Sequence, residues 1–134
     1  MSLDALLDHL RQTAALAQVA GILSWDQEAM MPPAGAGQRA EQASALAAVI
    51  HARRADPRIT DWAGAIDRAA LPAFDRRNVE EALRAHARAT RVPERLARAL
   101  AHAAAEGHRI WAAAREARDF AAFRPALERI VALK

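Results

Sequence analysis

Residues 25–33 read Trp-Asp-Gln-Glu-Ala-Met-Met-Pro-Pro, and this stretch interrupts a chain that otherwise has the apolar spacing of helices. Pro32 and Pro33 cannot lie inside a helix, because proline lacks an amide hydrogen and its ring displaces the preceding turn. We therefore expect the first helix to end near Ser24 and residues 25–33 to form a compact irregular corner. The Ala-Gly-Ala-Gly sequence of residues 34–37 is expected to follow as a flexible joint.

Helical periodicity dominates on both sides of this corner. Leu3, Leu6, Leu7 and Leu10 recur at three- and four-residue intervals, as on one face of a helix. No segment shows the alternation typical of β-strands. Further helices are expected at about residues 38–54, 56–66, 75–90 and 93–118, and from 119 onward. The sequence thus predicts an all-α single domain over residues 1–134, an antiparallel bundle of about five to six helices.

Polar caps and prolines set the expected boundaries of the later helices. Asp56 with Pro57 fits an N-cap followed by the first helical residue. Asp119 is expected to cap the last helix, with Pro125 in its first turn. Gly107 falls inside the preceding helix as a tolerated weak point. The last helix is still amphipathic where the sequence stops, an ending that suits a fragment of a larger fold as well as a natural domain.

The composition and charge of the chain exclude several kinds of site and segment. The 134 residues carry a formal net charge of +3 and no cysteine, which excludes disulfides and thiolate metal sites. Asp4 and Asp8 give the N-terminal segment the wrong charge for a signal peptide, and no apolar run is long enough to span a membrane. We expect a cytoplasmic protein without a membrane partner.

A row of five arginines could form a basic stripe along one helix. These arginines, spaced by three or four residues, are Arg84, Arg88, Arg91, Arg95 and Arg98. Pro93 divides the row between two helices, and the aromatic residues that stack on single-stranded nucleic acid are missing from it. We therefore expect no nucleic-acid partner.

The five histidines do not form a recognisable metal motif. Two ligands on one helical face need a spacing of three or four residues, which only His102 and Glu106 meet. His108 lies six residues after His102 and points elsewhere. His9, His51 and His86 have no acidic or histidine partner at helical spacing. We expect ordinary surface or boundary histidines and no metal ligand.

Residues 25–31 suggest two possible functional roles. Asp26 and Glu28 could act as a general acid–base pair if the fold brought them to a cleft, but two such carboxylates more often cap helices or face water. Trp25, Met30 and Met31 could line a hydrophobic pocket, or they could fill the gap between the first two helices.

The stretch from Ile22 to Pro33 resembles the N-terminal region of the carboxypeptidase Taq family, zinc-type metallocarboxypeptidases with an almost wholly helical fold. Blocks of similar sequence follow in the expected order at residues 39–42, 89–93, 108–111, 119–123 and 127–131. The resemblance covers essentially the whole chain, and it rests on several separate blocks.

The resemblance implies that the catalytic machinery lies outside this chain. In the family, an H-E-x-x-H motif and a later glutamate hold the metal, and the glutamate inside the motif is the general base. Both lie beyond the length of this chain. Residues 56–60, Asp-Pro-Arg-Ile-Thr, fit a family D-x-R-x-T pattern, but its neighbouring motifs are missing and we interpret the match as coincidence. We expect no catalytic and no metal-binding residue here.

The leading hypothesis is therefore the N-terminal helical part of a metallocarboxypeptidase, inactive by itself. Zinc or another divalent metal and the peptide substrate are expected only in the full-length enzyme. This part would pack beside the catalytic helices and help to wall the substrate groove. The possible groove-lining residues are Trp25, Asp26, Met30 and Met31.

Two alternatives remain open. The first is a helical self-association module, because a fragment exposes apolar faces that its missing partner once covered. Its expected contact patch consists of Phe120, Phe123, Ile130 and Val131, and we expect a homodimer or a higher oligomer. The second alternative is a small metal-binding bundle.

Overall fold

The computed structural model describes residues 2–134, and every regular element in that part of the chain is helical. The elements are α1 (Ser2–Ala29), a 3-10 turn (Pro33–Gly35), α2 (Ala36–Arg54), α3 (Arg58–Gly64), α4 (Ala73–Ala89), α5 (Glu94–Ala117) and α6 (Phe120–Ala132). The all-α prediction is confirmed, and the six helices agree with the expected number.

The central helix is α2, which packs most extensively against α5 and also contacts α1. α1 and α2 are antiparallel, because Asp26 near the end of α1 meets Arg39 near the start of α2, whereas His9 near the start of α1 meets Arg53. α5 and α6 pack as a second hairpin. The short α3 contacts both α1 and α4. α3 and α4 therefore lie at the end of the bundle where α1 begins.

The main apolar core lies where α1, α3 and α4 meet. Leu6 and Val79 are fully buried there, together with Ile59, Ala63 and Ala82. Burying one leucine or valine completely stabilises a fold by about 1.5–3 kcal/mol. Nine of the thirteen buried apolar residues are alanines, so the helices approach closely and few large side chains interlock.

α1 is longer than the sequence suggested. We predicted that it would end near Ser24, but it continues to Ala29, so residues 25–29 are helical rather than an irregular corner. The prediction was wrong because a proline restricts mainly the residue just before it, here Met31. The amides of Met30 and Met31 both donate to the carbonyl oxygen of Asp26, at 2.9 and 2.8 Å, and this closes the helix.

The four residues predicted as a flexible joint are also helical. Gly35 belongs to the 3-10 turn, and Ala36 and Gly37 form the first residues of α2. The link between α1 and α2 is therefore a short turned segment. A proline early in a helical turn is favourable, because its fixed backbone angle suits that position.

Of the two aspartates predicted to cap helices, Asp119 is the N-cap of α6, as expected. The N-cap of α3 is Pro57 and the helix begins at Arg58, so the prediction for Asp56 was wrong by one residue. Asp56 Oδ1 accepts a hydrogen bond from the Arg58 amide at 2.9 Å, and Asp119 Oδ1 accepts one from the Ala122 amide at 3.2 Å. The Arg58 side chain also donates to Asp56, at 2.7–3.1 Å. These bonds lower the pKa of Asp56 from 3.8 to about 2.

The connection between α5 and α6 is only two residues long. Arg118 adopts a left-handed backbone conformation with φ 53°. The amides of Arg118 and Asp119 donate to the carbonyls of Arg115 and Ala114, which is a Schellman motif. Pro125 is the sixth residue of α6, so the prediction that it lies in the first turn was wrong by one turn.

No helix in the described part of the chain is both long and apolar enough to cross a bilayer.

Candidate functional site

A large groove is bounded by α1, α2, α4 and α5, and we call it the α1–α5 groove. Its cavity volume is about 970 Å³, near the upper end of the range of ~300–1,000 Å³ for small-ligand pockets. Residues 17–28 of α1 form one wall, and residues 39–54 of α2 form the floor. α5 and the end of α4 form the opposite wall.

The interior of the α1–α5 groove is apolar and its ends are charged. Leucines, one isoleucine and many alanines line the middle. Glu28 and His108 face each other across one end, with 4.0 Å between Glu28 Oε1 and His108 Nε2. Gln27 Nε2 donates to the carbonyl oxygen of Ala105 at 2.8 Å close by, and this bond joins α1 to α5.

The opposite end carries uncompensated positive charge. Arg54 and Arg88 both line the groove there, and their guanidinium groups have no hydrogen-bond or ion-pair partner within residues 2–134. Arg39 also lines the groove, but Asp26 neutralises it at 2.6 Å. An anionic group entering beside Arg54 and Arg88 would therefore find two available cations.

The four predicted groove-lining residues lie outside the α1–α5 groove. Trp25 and Met30 are exposed, at 62% and 71% of their surfaces. Asp26 is bound to Arg39, and Met31 packs against Gly35. The predicted role of these residues concerns a substrate groove of the larger fold, so it stays a prediction.

Asp26 and Glu28 do not meet each other. They are two residues apart on one helix and therefore project in different directions. Asp26 contacts α2 through Arg39, which also donates to the carbonyl oxygen of Leu23 at 2.6 Å. Glu28 instead faces His108 on α5. The structure gives Asp26 a positioning contact between α1 and α2 rather than an acid–base partner.

The one helical pair with metal-ligand spacing is also separated. His102 Nε2 lies 3.3 Å from Glu41 Oε1, and Glu106 pairs with Arg129 at 3.2 Å. Within residues 2–134 no three histidine, aspartate or glutamate side chains are arranged to hold a metal ion. The described side chains therefore do not fit the metal that the family resemblance implies, and no catalytic step is assigned to them.

Three histidines have a structural role that the sequence did not reveal. His9 Nε2 bonds the Arg53 carbonyl at 2.8 Å, His86 Nδ1 bonds the Arg54 carbonyl at 3.1 Å, and His51 Nε2 bonds the Val92 carbonyl at 2.5 Å. These carbonyls belong to the last turn of α2 and to the end of the segment after α4, where helical acceptors lack partners. A backbone acceptor on another helix leaves no residue pattern, so only the fold could identify these bonds.

Comparison with known proteins places the chain in a family. The family profile for carboxypeptidase Taq (M32) metallopeptidases matches residues 5–134. Because this match covers nearly the whole chain, the protein belongs to that family of helical metallopeptidases, as the sequence resemblance implied.

Individual relatives agree with this assignment. Thermostable carboxypeptidase 1 of Thermus thermophilus is 41% identical over 132 residues, which are 96% of this chain and 26% of the relative. The crystal structure of BsuCP has the same fold, with a TM-score of 0.93 at 19% identity over 98% of this chain and 27% of that one. The structure of CHT has a TM-score of 0.66 at 26% identity, with the same coverage. The chain thus spans about a quarter of the length of these relatives.

Proposed function

We propose that this chain is the N-terminal helical part of a metal-dependent carboxypeptidase that removes C-terminal residues from peptides, and that this part alone is inactive. The observation that carries the proposal is the family match over residues 5–134. The relative from Thermus thermophilus is a carboxypeptidase, and it is about four times longer than the matched segment. Inactivity is supported by the sequence, which contains no H-E-x-x-H motif.

The test is release of amino acids from peptide C-termini by the purified chain, with and without added zinc or cobalt. The Thermus thermophilus enzyme serves as the positive control. We expect rates equal to those of buffer alone under both conditions. Metal-dependent release that a chelator abolishes would contradict the proposed inactivity, and retained stoichiometric metal would favour the alternative of a metal-binding bundle.

We further propose that Trp25, Asp26, Met30 and Met31 form a surface that helps to wall the substrate groove of the complete enzyme. The exposure of Trp25 and Met30 supports this proposal, because large apolar side chains in water mark contact surfaces. The test is a chimaera of the Thermus thermophilus enzyme in which this chain replaces the matching segment. Trp25→Ala should raise KM, whereas Phe74→Ala, which alters an even more exposed aromatic residue on α4, should not. Equal effects on KM would contradict the proposal.

The alternative function is self-association, with the isolated chain forming a homodimer. Phe120 and Val131 on α6 support it, because they expose 58% and 62% of their surfaces. Size-exclusion chromatography with light scattering tests the oligomeric state. Val131→Glu should produce a monomer, whereas Val49→Glu on the outer side of α2 should leave the dimer intact. A strictly monomeric parent chain would contradict self-association.

We also propose a cytoplasmic location, which the cysteine-free composition supports. Cell fractionation with an antibody to the chain tests it, and recovery from a secreted or periplasmic fraction would refute it.

A further inference from the structure

We propose that the α1–α5 groove receives an amphipathic α-helix about three turns long, which carries carboxylates where it meets Arg54 and Arg88. The helix would come from the part of the metallocarboxypeptidase outside residues 1–134, so this inference rests on the proposed function. The inference gives a partner to the groove, to which the family match assigns no role.

The size and lining of the groove favour a helix. Its α1 wall runs from Ala17 to Glu28, and eleven steps of ~1.5 Å give a length of about 16 Å, or three helical turns. Ten of the lining residues are alanines, whose short side chains allow a helix to approach the floor closely. The apolar middle requires an apolar face on the occupant, as in other helix-in-groove contacts.

Charge determines how the helix lies in the groove. The guanidinium groups of Arg54 and Arg88 have no partner within residues 2–134, whereas Glu28 and His108 face each other at the opposite end. A carboxylate beside the two arginines would form charge-assisted hydrogen bonds. The same carboxylate at the other end would lie close to Glu28, which disfavours the reversed orientation.

The length of the relatives supports a source within the same polypeptide. This chain spans 26% of the Thermus thermophilus relative and 27% of BsuCP, so about three quarters of each lies outside the matched segment. An open apolar groove of this size is unfavourable in water and is usually covered by a partner. A helix of the larger fold is covalently linked to the groove, so its effective concentration exceeds that of any separate partner.

The test compares the isolated chain with the chimaera described above, in which this chain replaces the matching segment of the Thermus thermophilus enzyme. Ala104→Leu places a larger side chain in the groove and so narrows it. Ala112→Leu makes the same change at an exposed position of α5 outside the groove. In the isolated chain both variants should melt within about a degree of the parent. In the chimaera Ala104→Leu should lower Tm by roughly 3 °C or more through overpacking, and Ala112→Leu should not.

A second matched pair tests the charges. Arg88→Glu and Arg91→Glu both reverse a charge near the end of α4, but only Arg88 lines the groove. In the chimaera Arg88→Glu should lower Tm by several degrees more than Arg91→Glu, whereas in the isolated chain the two should agree.

Suppose the chimaera hydrolyses peptides but the two variants of each pair change its Tm equally. The groove would then be open in the whole enzyme. This result would overturn the inference and leave the proposed function intact. A difference within the pairs that appears already in the isolated chain and depends on protein concentration would assign the groove to a second copy, which also contradicts it. A folded chimaera without peptide hydrolysis would overturn the proposed function and this inference together.

Discussion

Gly107 offers a sharp test of how α5 and α6 pack. The sequence suggested only a tolerated weak point in a helix, but a Cβ atom at Gly107 would lie 2.9 Å from Ile130 Cδ1. Carbon atoms in contact prefer a separation of about 3.5–4.0 Å. Gly107 therefore provides the space that the Ile130 side chain occupies. Gly107→Ala should have two opposing effects on the free energy of unfolding.

The two effects are similar in size. Alanine is favoured over glycine inside a helix by about 0.8–1.0 kcal/mol. The added methyl group forces the end of Ile130 out of its rotamer, which costs about 0.5–1.5 kcal/mol. We expect the free energy of unfolding of Gly107→Ala to lie within about 0.5 kcal/mol of the parent. Ile130→Val removes Cδ1, so Gly107→Ala should gain about 1 kcal/mol in that background.

Urea unfolding followed by far-UV circular dichroism measures these differences, provided the m-values agree. Gly21→Ala is the matched control, because Gly21 lies in the middle of α1 and its Cβ would meet nothing within 4 Å. This control should stabilise the chain by about 1 kcal/mol whether or not Ile130 is changed. If Gly107→Ala stabilises the parent as much as Gly21→Ala does, the described contact between α5 and α6 is wrong.

Arg118→Gly should raise the free energy of unfolding by about 1 kcal/mol, because glycine adopts a φ of 53° without strain; unchanged stability in urea would contradict this. Asp56 supplies stability that is fully present above its ordinary pKa of 3.8 and is lost as the pH falls toward about 2, because Arg58 lowers the folded pKa. Asp56→Asn should therefore reduce the loss of stability in acid titrations, and an unchanged profile would refute it. Arg53→Met should cost about 2 kcal/mol in thermal melts, because Arg53 Nη2 donates to the carbonyl oxygen of His9; no loss would refute it.

The sequence predicted the helices well because their signals are local. Val79 and Ala82 are three residues apart within the helix predicted at about residues 75–90, and both are buried against α1 and α3. The cap at Asp119 and the bond from the Arg58 amide to Asp56 also join residues no more than three positions apart. Features of this kind need no knowledge of the other helices, so a single sequence is sufficient to find them.

The errors at the end of α1 have a different physical origin. Prolines exclude a helix only in their immediate neighbourhood, and the sequence gives no further signal for where α1 stops. The extra helical residues are held by a distant contact, since Asp26 binds Arg39 on the next helix. Such a contact depends on the antiparallel packing of α1 against α2, which local patterns do not determine.

Contacts with neighbouring helices also determine which groups the carboxylates of residues 25–33 meet. Asp26 lies against α2 and is committed to Arg39, whose side chain is only 12% exposed, so its carboxylate stabilises the α1–α2 hairpin. Releasing it for proton transfer would leave a largely buried guanidinium without its counter-ion, which is costly. Trp25 and Met30 lie on other faces of the same segment, and both side chains are exposed. We therefore expect Asp26 to hold the segment in place, while Trp25 and Met30 offer exposed apolar side chains for contact with other parts of the larger fold.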